Sequence, residues 1–208
     1  MLEHLPAWLG AMLRNVRAGH SKLAIVQPEL GIGETVIDLS SPAFADGGRL
    51  PVRFTADGDG VSPPLLWGEV PAGTASLALI VEDPDAPALH PLVHALVWNL
   101  PAGERRLAEG AIAKDGGGAD DGRDVGRNSF FAEGWLPPDP PAGHGSHDYV
   151  FQLFALSEAV PIGANPTRSE LMRVIEGRVL GAGMLVGCYS RGEEQPLSRP
   201  GVAGASPA

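Results

Sequence analysis

Five side chains have the types and spacing to recognise a small charged group: Asp83, Asp85, His94, His147 and Tyr149. Imidazoles donate ring N–H bonds to phosphate or carboxylate, more strongly when protonated. A tyrosine adds a neutral O–H donor. The two aspartates can hold an imidazole in one tautomer, or meet a cationic head such as ethanolamine. Pro84, Pro87, Pro140 and Pro141 fix the surrounding backbone without supplying donors. Taken singly, each residue has a plainer role: a histidine satisfied within a strand, a tyrosine at a core rim, an Asp-Pro-Asp turn closed by its own side chains. Their combination in two separate segments points to a binding site.

The same residues argue less well for catalysis. No G-x-S-x-G or G-x-x-x-x-G-K-[ST] occurs. Ser146 and His147 are neighbours, and on a strand neighbours face opposite sides, which is wrong for proton transfer between them. Asp57-Gly58-Asp59-Gly60 lacks the acidic residue that would complete a calcium loop, so it reads as a turn. The expectation is a binding module with no catalytic residues, no metal and no cofactor.

The elements that must position these groups are strands. Residues 78–100, ALIVEDPDAPALHPLVHALVWNL, read as a buried strand ending in carboxylates, a proline-locked turn, and a returning apolar strand from Val93 to Leu100. Carboxylates at the end of a buried strand either reach water or sit in a polar pocket with partners, because unpaired burial costs several kcal/mol. A second approach, GWLPPDPPAGHGSHDYVFQLFAL, is stiffened by prolines and opens a strand at Tyr149 whose two faces are both apolar. Turn signals recur about every ten residues between short apolar pieces, the pattern of an antiparallel sandwich or barrel. Further strands are expected at Thr35–Leu39 and Val179–Tyr189. Thr167-Arg168-Ser169-Glu170 is a capping-box pattern opening a short helix near 168–176.

Leu5, Trp8, Leu9, Met12, Leu13 and Val16 recur at helical spacing, so residues 5–17 are expected to form an amphipathic helix. It can dock on its own domain, join a second subunit as a homodimer contact, or lie on a membrane surface. It is too short to span a bilayer and lacks the flanks of a secretory signal, which gives a cytoplasmic expectation. The domain division expected is 1–30 for this helix and its connector, 31–191 for the β domain, and 192–208 for a polar tail expected to be disordered. The glycine-rich stretch 114–126 is a surface loop or a lid over a pocket.

Composition narrows the function further. The chain has 208 residues, 44% of them hydrophobic, and a net charge of −10, a poor balance for binding nucleic acid. The single cysteine, Cys188, excludes an internal disulfide and any cysteine zinc cluster.

The stretches DGDGVSPPLLW, LIVEDPDAP, VHALVWNLP and PPAGHGSHDYVFQLFAL resemble the phosphatidylethanolamine-binding protein family, also called Raf kinase inhibitor proteins, and above all its bacterial YbhB/YbcL-type branch. The likeness runs from about Ser40 to Tyr189. The resemblance implies an antiparallel Greek-key β-sandwich with a few peripheral helices and an anion pocket beside the D-P-D-A-P turn. Carried over, that pocket comprises Asp83, Pro87, His94, Pro141, His147 and Tyr149. It implies ligands of the phosphate or phospholipid head-group class. Some members inhibit kinases or proteases, so a regulatory partner on the pocket face is the alternative expectation, ahead of a hydrolase. Two departures stand out. Asp148 occupies a position usually held by Arg, which lowers positive potential near the pocket. The segment before Pro140 reads WLPPDP where glycine is common, so the rim is expected to differ.

Overall fold

Two sheets enclose one core, and the larger sheet is covered on both faces. A computed structural model describes residues 11–13, 15–113, 124–163 and 165–191. Its strands are β1 (Thr35–Val36), β2 (Leu39–Ser40), β3 (Gly48–Arg49), β4 (Leu65–Trp67), β5 (Ser76–Asp83), β6 (Leu92–Pro101), β7 (Arg106–Leu107), β8 (Asp124–Val125), β9 (His147–Leu156) and β10 (Val179–Tyr189), with helix α1 (Arg168–Ile175) before β10. The large sheet runs β1-β10-β9-β5-β6-β8, with β3 also on β10, and the small one runs β2-β4-β7. Pairing is antiparallel except where β1 and β3 meet β10.

Period-two alternation decides which core each side chain joins. Leu77, Leu79 and Val81 of β5, with Tyr149, Phe151 and Leu153 of β9, pack between the sheets against Leu65 and Trp67. Ala78 and Ile80, with Phe154 and Leu156, face the other way onto Leu171 and Ile175 of α1 and onto Ala24 and Leu30. All eight residues of β5 are therefore buried. Full burial of each large side chain is worth about 1.5–3 kcal/mol. Strand β10 carries glycines where segment 35–37 crosses it. A Cβ on Gly181 would lie 2.5 Å from the Thr35 carbonyl oxygen, and one on Gly183 would lie 2.4 Å from that of Ile37. Only glycine admits that approach.

The capping box forms as the sequence indicates. The Thr167 hydroxyl accepts from the Glu170 N–H, and the Glu170 carboxylate accepts from the Thr167 N–H at 2.7 Å.

The connector before residue 31 packs on the β domain. Ala18, Leu23, Ala24 and Leu30 are buried, and residues 20–30 form three 3-10 turns against the outer face of the large sheet. Their apolar residues lack helical or strand periodicity, so the sequence pattern did not show that they belong to the core. Glu82, wholly buried on this face, holds them there. It accepts from the Ala24 N–H at 2.8 Å, from Gln152 Nε2 at 2.8 Å and from Arg168 Nε at 2.5 Å.

Residues 11–13 of the expected N-terminal helix are helical, and Met12 and Val16 are exposed. Residues 5–10 and 14 lie outside the described set, as do residues 114–123 of the glycine-rich loop and the tail from 192. No helix among the described residues is long and apolar enough to cross a membrane.

Candidate functional site

The site begins where β5 runs out of core. Asp83 Oδ1 accepts the Asp85 N–H at 2.8 Å, closing the Asp-Pro-Asp turn with its own side chain. Its other oxygen is thereby aimed at the first residue of β9, where His147 Nδ1 lies 2.8 Å away. The turn is anchored from behind by the N-terminal segment. Ala18 and Gly19 N–H groups donate to the carbonyls of Ala86 (3.0 Å) and Pro84 (2.8 Å), and Arg17 pairs with Asp85 at 2.5 Å. The remaining oxygen of Asp85 accepts the Asp148 N–H at 2.7 Å, pinning β9 to the turn.

The hydrogen bonds of the histidines assign their protons. His147 Nε2 lies 2.7 Å from His144 Nδ1, and His144 Nε2 lies 2.8 Å from the Leu13 carbonyl. A carbonyl only accepts, so His144 Nε2 carries a proton. Burial, then the neighbouring His147, hold the His144 pKa below the ordinary histidine range. With its Nε2 proton on the Leu13 carbonyl, His144 offers Nδ1 to His147 Nε2, and His147 Nδ1 meets the Asp83 carboxylate, so both ring nitrogens of His147 are used. For His147 to offer a ring N–H to a ligand, one of these two bonds would have to be given up.

His94, on β6, differs. Its Nδ1 donates to the Leu136 carbonyl at 2.6 Å, and its buried Nε2 has no partner among the described residues. The hydroxyl of Tyr149, also fully buried, has none among them either. The two rings meet edge-to-face with centroids 5.0 Å apart, and Tyr149 stacks on His147 at 6.5 Å.

A cavity of about 230 Å³ opens beside these groups. Asp83, His94 and His147 line it together with prolines 87, 137, 140 and 141, and Ala86, Leu92, Phe130 and Leu136 make its walls apolar. Five of the seven residues singled out in the sequence thus line one cavity: Asp83, Pro87, His94, Pro141 and His147. Asp85 does not line it; its carboxylate is consumed by Arg17 and by the start of β9. Tyr149 does not line it either, but packs on both imidazoles that do. Sequence reasoning passed over His144, although its three-residue spacing from His147 in a glycine turn was a usable signal. It also passed over Leu136, Arg17 and Arg191, which no local pattern marks.

A model of the phosphatidylethanolamine-binding protein family matches residues 40–190. The chain belongs to that family. A UPF0098 protein of Methanothermobacter thermautotrophicus is 38% identical over 156 residues, 75% of this chain and 100% of the relative. The crystal structure of Escherichia coli YbcL, described as a member of the mammalian phosphatidylethanolamine-binding protein family, superposes with a TM-score of 0.69 at 29% identity, covering 74% of this chain and 98% of that one. A candidate family homolog from Chlamydia trachomatis gives 0.67 at 32% identity, covering 75% and 98%. The chain is of the bacterial YbcL type, and its mainly β fold is that of the family.

Among the described residues, neither lysine nor arginine lines the cavity. Burial lowers the His94 pKa, offset in part by Asp83, so the ring is neutral near pH 7 with an acceptor lone pair on Nε2. Burial, then Asp83, push the Tyr149 hydroxyl well up, so it stays protonated. At the rim, Arg191 bonds Asp139 and the Pro140 carbonyl, and reaches Asp57 at 2.6 Å. That bond holds the Asp57 carboxyl below its ordinary value. The Asp57 turn is thus a counter-ion for Arg191. Asp148, the departure from the family pattern, lies 3.2 Å from His20 and not on the cavity wall. His20, Asp85 and Asp148 are described residues whose ligand atoms gather within 4.8 Å, but Arg17 already neutralises Asp85.

Proposed function

We propose that this protein is a binding module, without turnover, whose cavity takes a phosphate-like anion or a phospholipid head group. The observation that carries the reading is the buried His94 Nε2 on the cavity wall, unpartnered among the described residues, with the likewise unpartnered Tyr149 hydroxyl on the ring packed against it. A buried polar group without a partner costs about 1–3 kcal/mol, and a ligand that supplies the partner recovers that cost on binding. Asp83 and His147 form a hydrogen-bonded base, and the apolar walls suit the carbon skeleton attached to a head group. Family membership supports a ligand-binding role of this kind.

Crystals soaked with inorganic phosphate or phosphorylethanolamine test it. Density within hydrogen-bonding reach of His94 Nε2 and the Tyr149 hydroxyl supports the reading. Density only at other sites, or equal phosphate affinity in wild type and Tyr149→Phe, overturns it.

A second reading, a regulator that covers a kinase or protease with its pocket face, draws on the apolar groups beside the cavity. Phe131 is 80% exposed, Leu89 83% and Phe130 43%. A partner whose capture is lost in Phe131→Ser while phosphate still binds would favour it.

A further inference from the structure

Residues 15–22 lie before the segment 40–190 that matches the family, and among the described residues neither core cluster includes any of them. Their long-range bonds go chiefly to the two pieces of chain that carry Asp83 and His147. We propose that residues 15–22 are an allosteric strap, with Arg17 as its positioning residue. Docked, the strap keeps the cavity in its binding shape; released, it lowers the affinity of the cavity for ligand. The inference rests on the reading of the cavity as an anion site.

The turn after β5 brings Asp83, Ala86 and Pro87 to the cavity, and the turn into β9 brings Pro141 and His147. The strap fastens both. On the first, the Ala18 and Gly19 N–H groups donate to the Ala86 and Pro84 carbonyls, and Lys22 Nζ donates to the Leu89 carbonyl at 2.7 Å. On the second, Arg17 Nη1 donates to the Ser146 carbonyl at 3.2 Å, and His20 Nε2 lies 3.2 Å from Asp148. Arg17 joins the two turns, because the same Nη1 pairs with Asp85. Charge matches as well as shape. Residues 15–22 hold Arg17, His20 and Lys22 and no acidic residue, and they meet Asp85 and Asp148.

No residue of the strap lines the cavity, so its effect on a ligand passes through these turns. Turns have fewer core contacts than the strands they join and open at lower free energy. A strap bonded to two of them narrows the shapes they sample. A ligand binds only the molecules in the competent shape, so apparent affinity falls in proportion as that fraction falls. Gly19 permits the crossing. It turns the strap at φ 102°, a conformation that a Cβ strains.

Two variants of the full chain test the strap: Arg17→Met, which removes the charge, and Gly19→Ala, which strains the backbone and touches no charged group. Calorimetry with inorganic phosphate and amide hydrogen exchange are read on both and on wild type. In both variants the Asp85 and Asp148 amides should exchange about tenfold or more faster, with the Leu79 and Leu153 amides of the central strands unchanged. Phosphate should bind the variants about fivefold or more weakly. Linkage requires the reverse effect: in wild type, saturating phosphate should slow exchange at the Ala18 and Gly19 amides by at least that factor. A merely structural segment would show no such protection. Phosphate that binds wild type without slowing those amides, or binds both variants as tightly as wild type, overturns the strap and leaves the anion site standing. Equal acceleration at Leu79 and Leu153 also overturns it, since the segment would then support the whole fold. If phosphate does not bind wild type, the anion reading falls and exchange alone decides the strap. Acceleration confined to Asp85 and Asp148 upholds its hold on the cavity, and unchanged exchange there overturns it.

Discussion

Asp83 and His147, 64 residues apart in the chain, meet at 2.8 Å with both side chains almost wholly buried. The bond joins the end of β5 to the start of β9, and the chain of hydrogen bonds continues through His144 to the Leu13 carbonyl. The cavity is therefore tied mechanically to the N-terminal segment. Replacing Asp83 by Ala removes the partner of a buried imidazole and should cost about 3–5 kcal/mol of stability in urea unfolding. Asp83→Asn keeps an acceptor but not the charge, and for an ionic pair it should cost nearly as much. A loss of only about 1–2 kcal/mol in Asp83→Asn would show that the hydrogen bond, and not charge, holds the pair.

Tyr149→Phe separates function from folding. The hydroxyl is buried without a partner, so its removal should leave stability unchanged or raise it by about 1 kcal/mol. The same change should weaken phosphate binding several-fold in calorimetry. A residue with a purely structural role would move both quantities downward. Loss of stability in Tyr149→Phe would mean that the hydroxyl has a partner in the free protein.

Much of this architecture was legible because alternation and turn chemistry are local. Val179–Tyr189 was read at its observed bounds, and the capping box placed α1 to within a residue. The both-faces-apolar pattern of Tyr149–Leu156 correctly marked a central strand. Of the five cavity-lining residues found, Asp83, His94 and His147 stand at or near the ends or starts of such strands, and Pro87 and Pro141 in the proline-marked turns beside them, which is why they could be found. What the sequence hid was non-local. Arg17 meets Asp85 only once residues 18–30 have wrapped the sheet. The Leu136 carbonyl, which fixes the tautomer of His94, has no side-chain signature at all. Without His144, whose partners lie on two elements, His147 looked like a free donor when it is saturated.

Acid should destabilise the free protein through His94 and His144. Both have folded-state pKa values below the ordinary histidine value, chiefly from burial. The unfolded chain takes up their protons as pH falls through about 6.5, while the folded chain refuses them. Unfolding then binds protons, so stability rises with pH across the window from the lowered values up to about 6.5, and is fully present above it. Urea midpoints at about pH 7.5 and 5.5 on either side of that value measure the slope. His94→Asn should flatten it, and an unchanged slope would remove His94 from the account.

The last test concerns Glu82, the carboxylate buried beneath the N-terminal turns. It is 0% exposed and takes N–H bonds from Ala24 and Gln152, but its counter-charge is Arg168, whose side chain is only 25% exposed. Arg168 also donates to the Lys22 carbonyl at 2.8 Å, so one guanidinium clamps the wrapped segment to α1 and to β5. Arg168→Met keeps the apolar stem but leaves a buried charge unpaired, and should cost about 3 kcal/mol. In the double variant with Glu82→Gln, the charge is gone and the two N–H donors still have an oxygen to bond, so about half or more of that loss should return. Additive losses in the double-mutant cycle would mean that the two side chains do not share an interaction. Faster proteolysis of residues 18–30 in Arg168→Met, with Tyr149 and the cavity undisturbed, would place the loss at the clamp and not in the sandwich core.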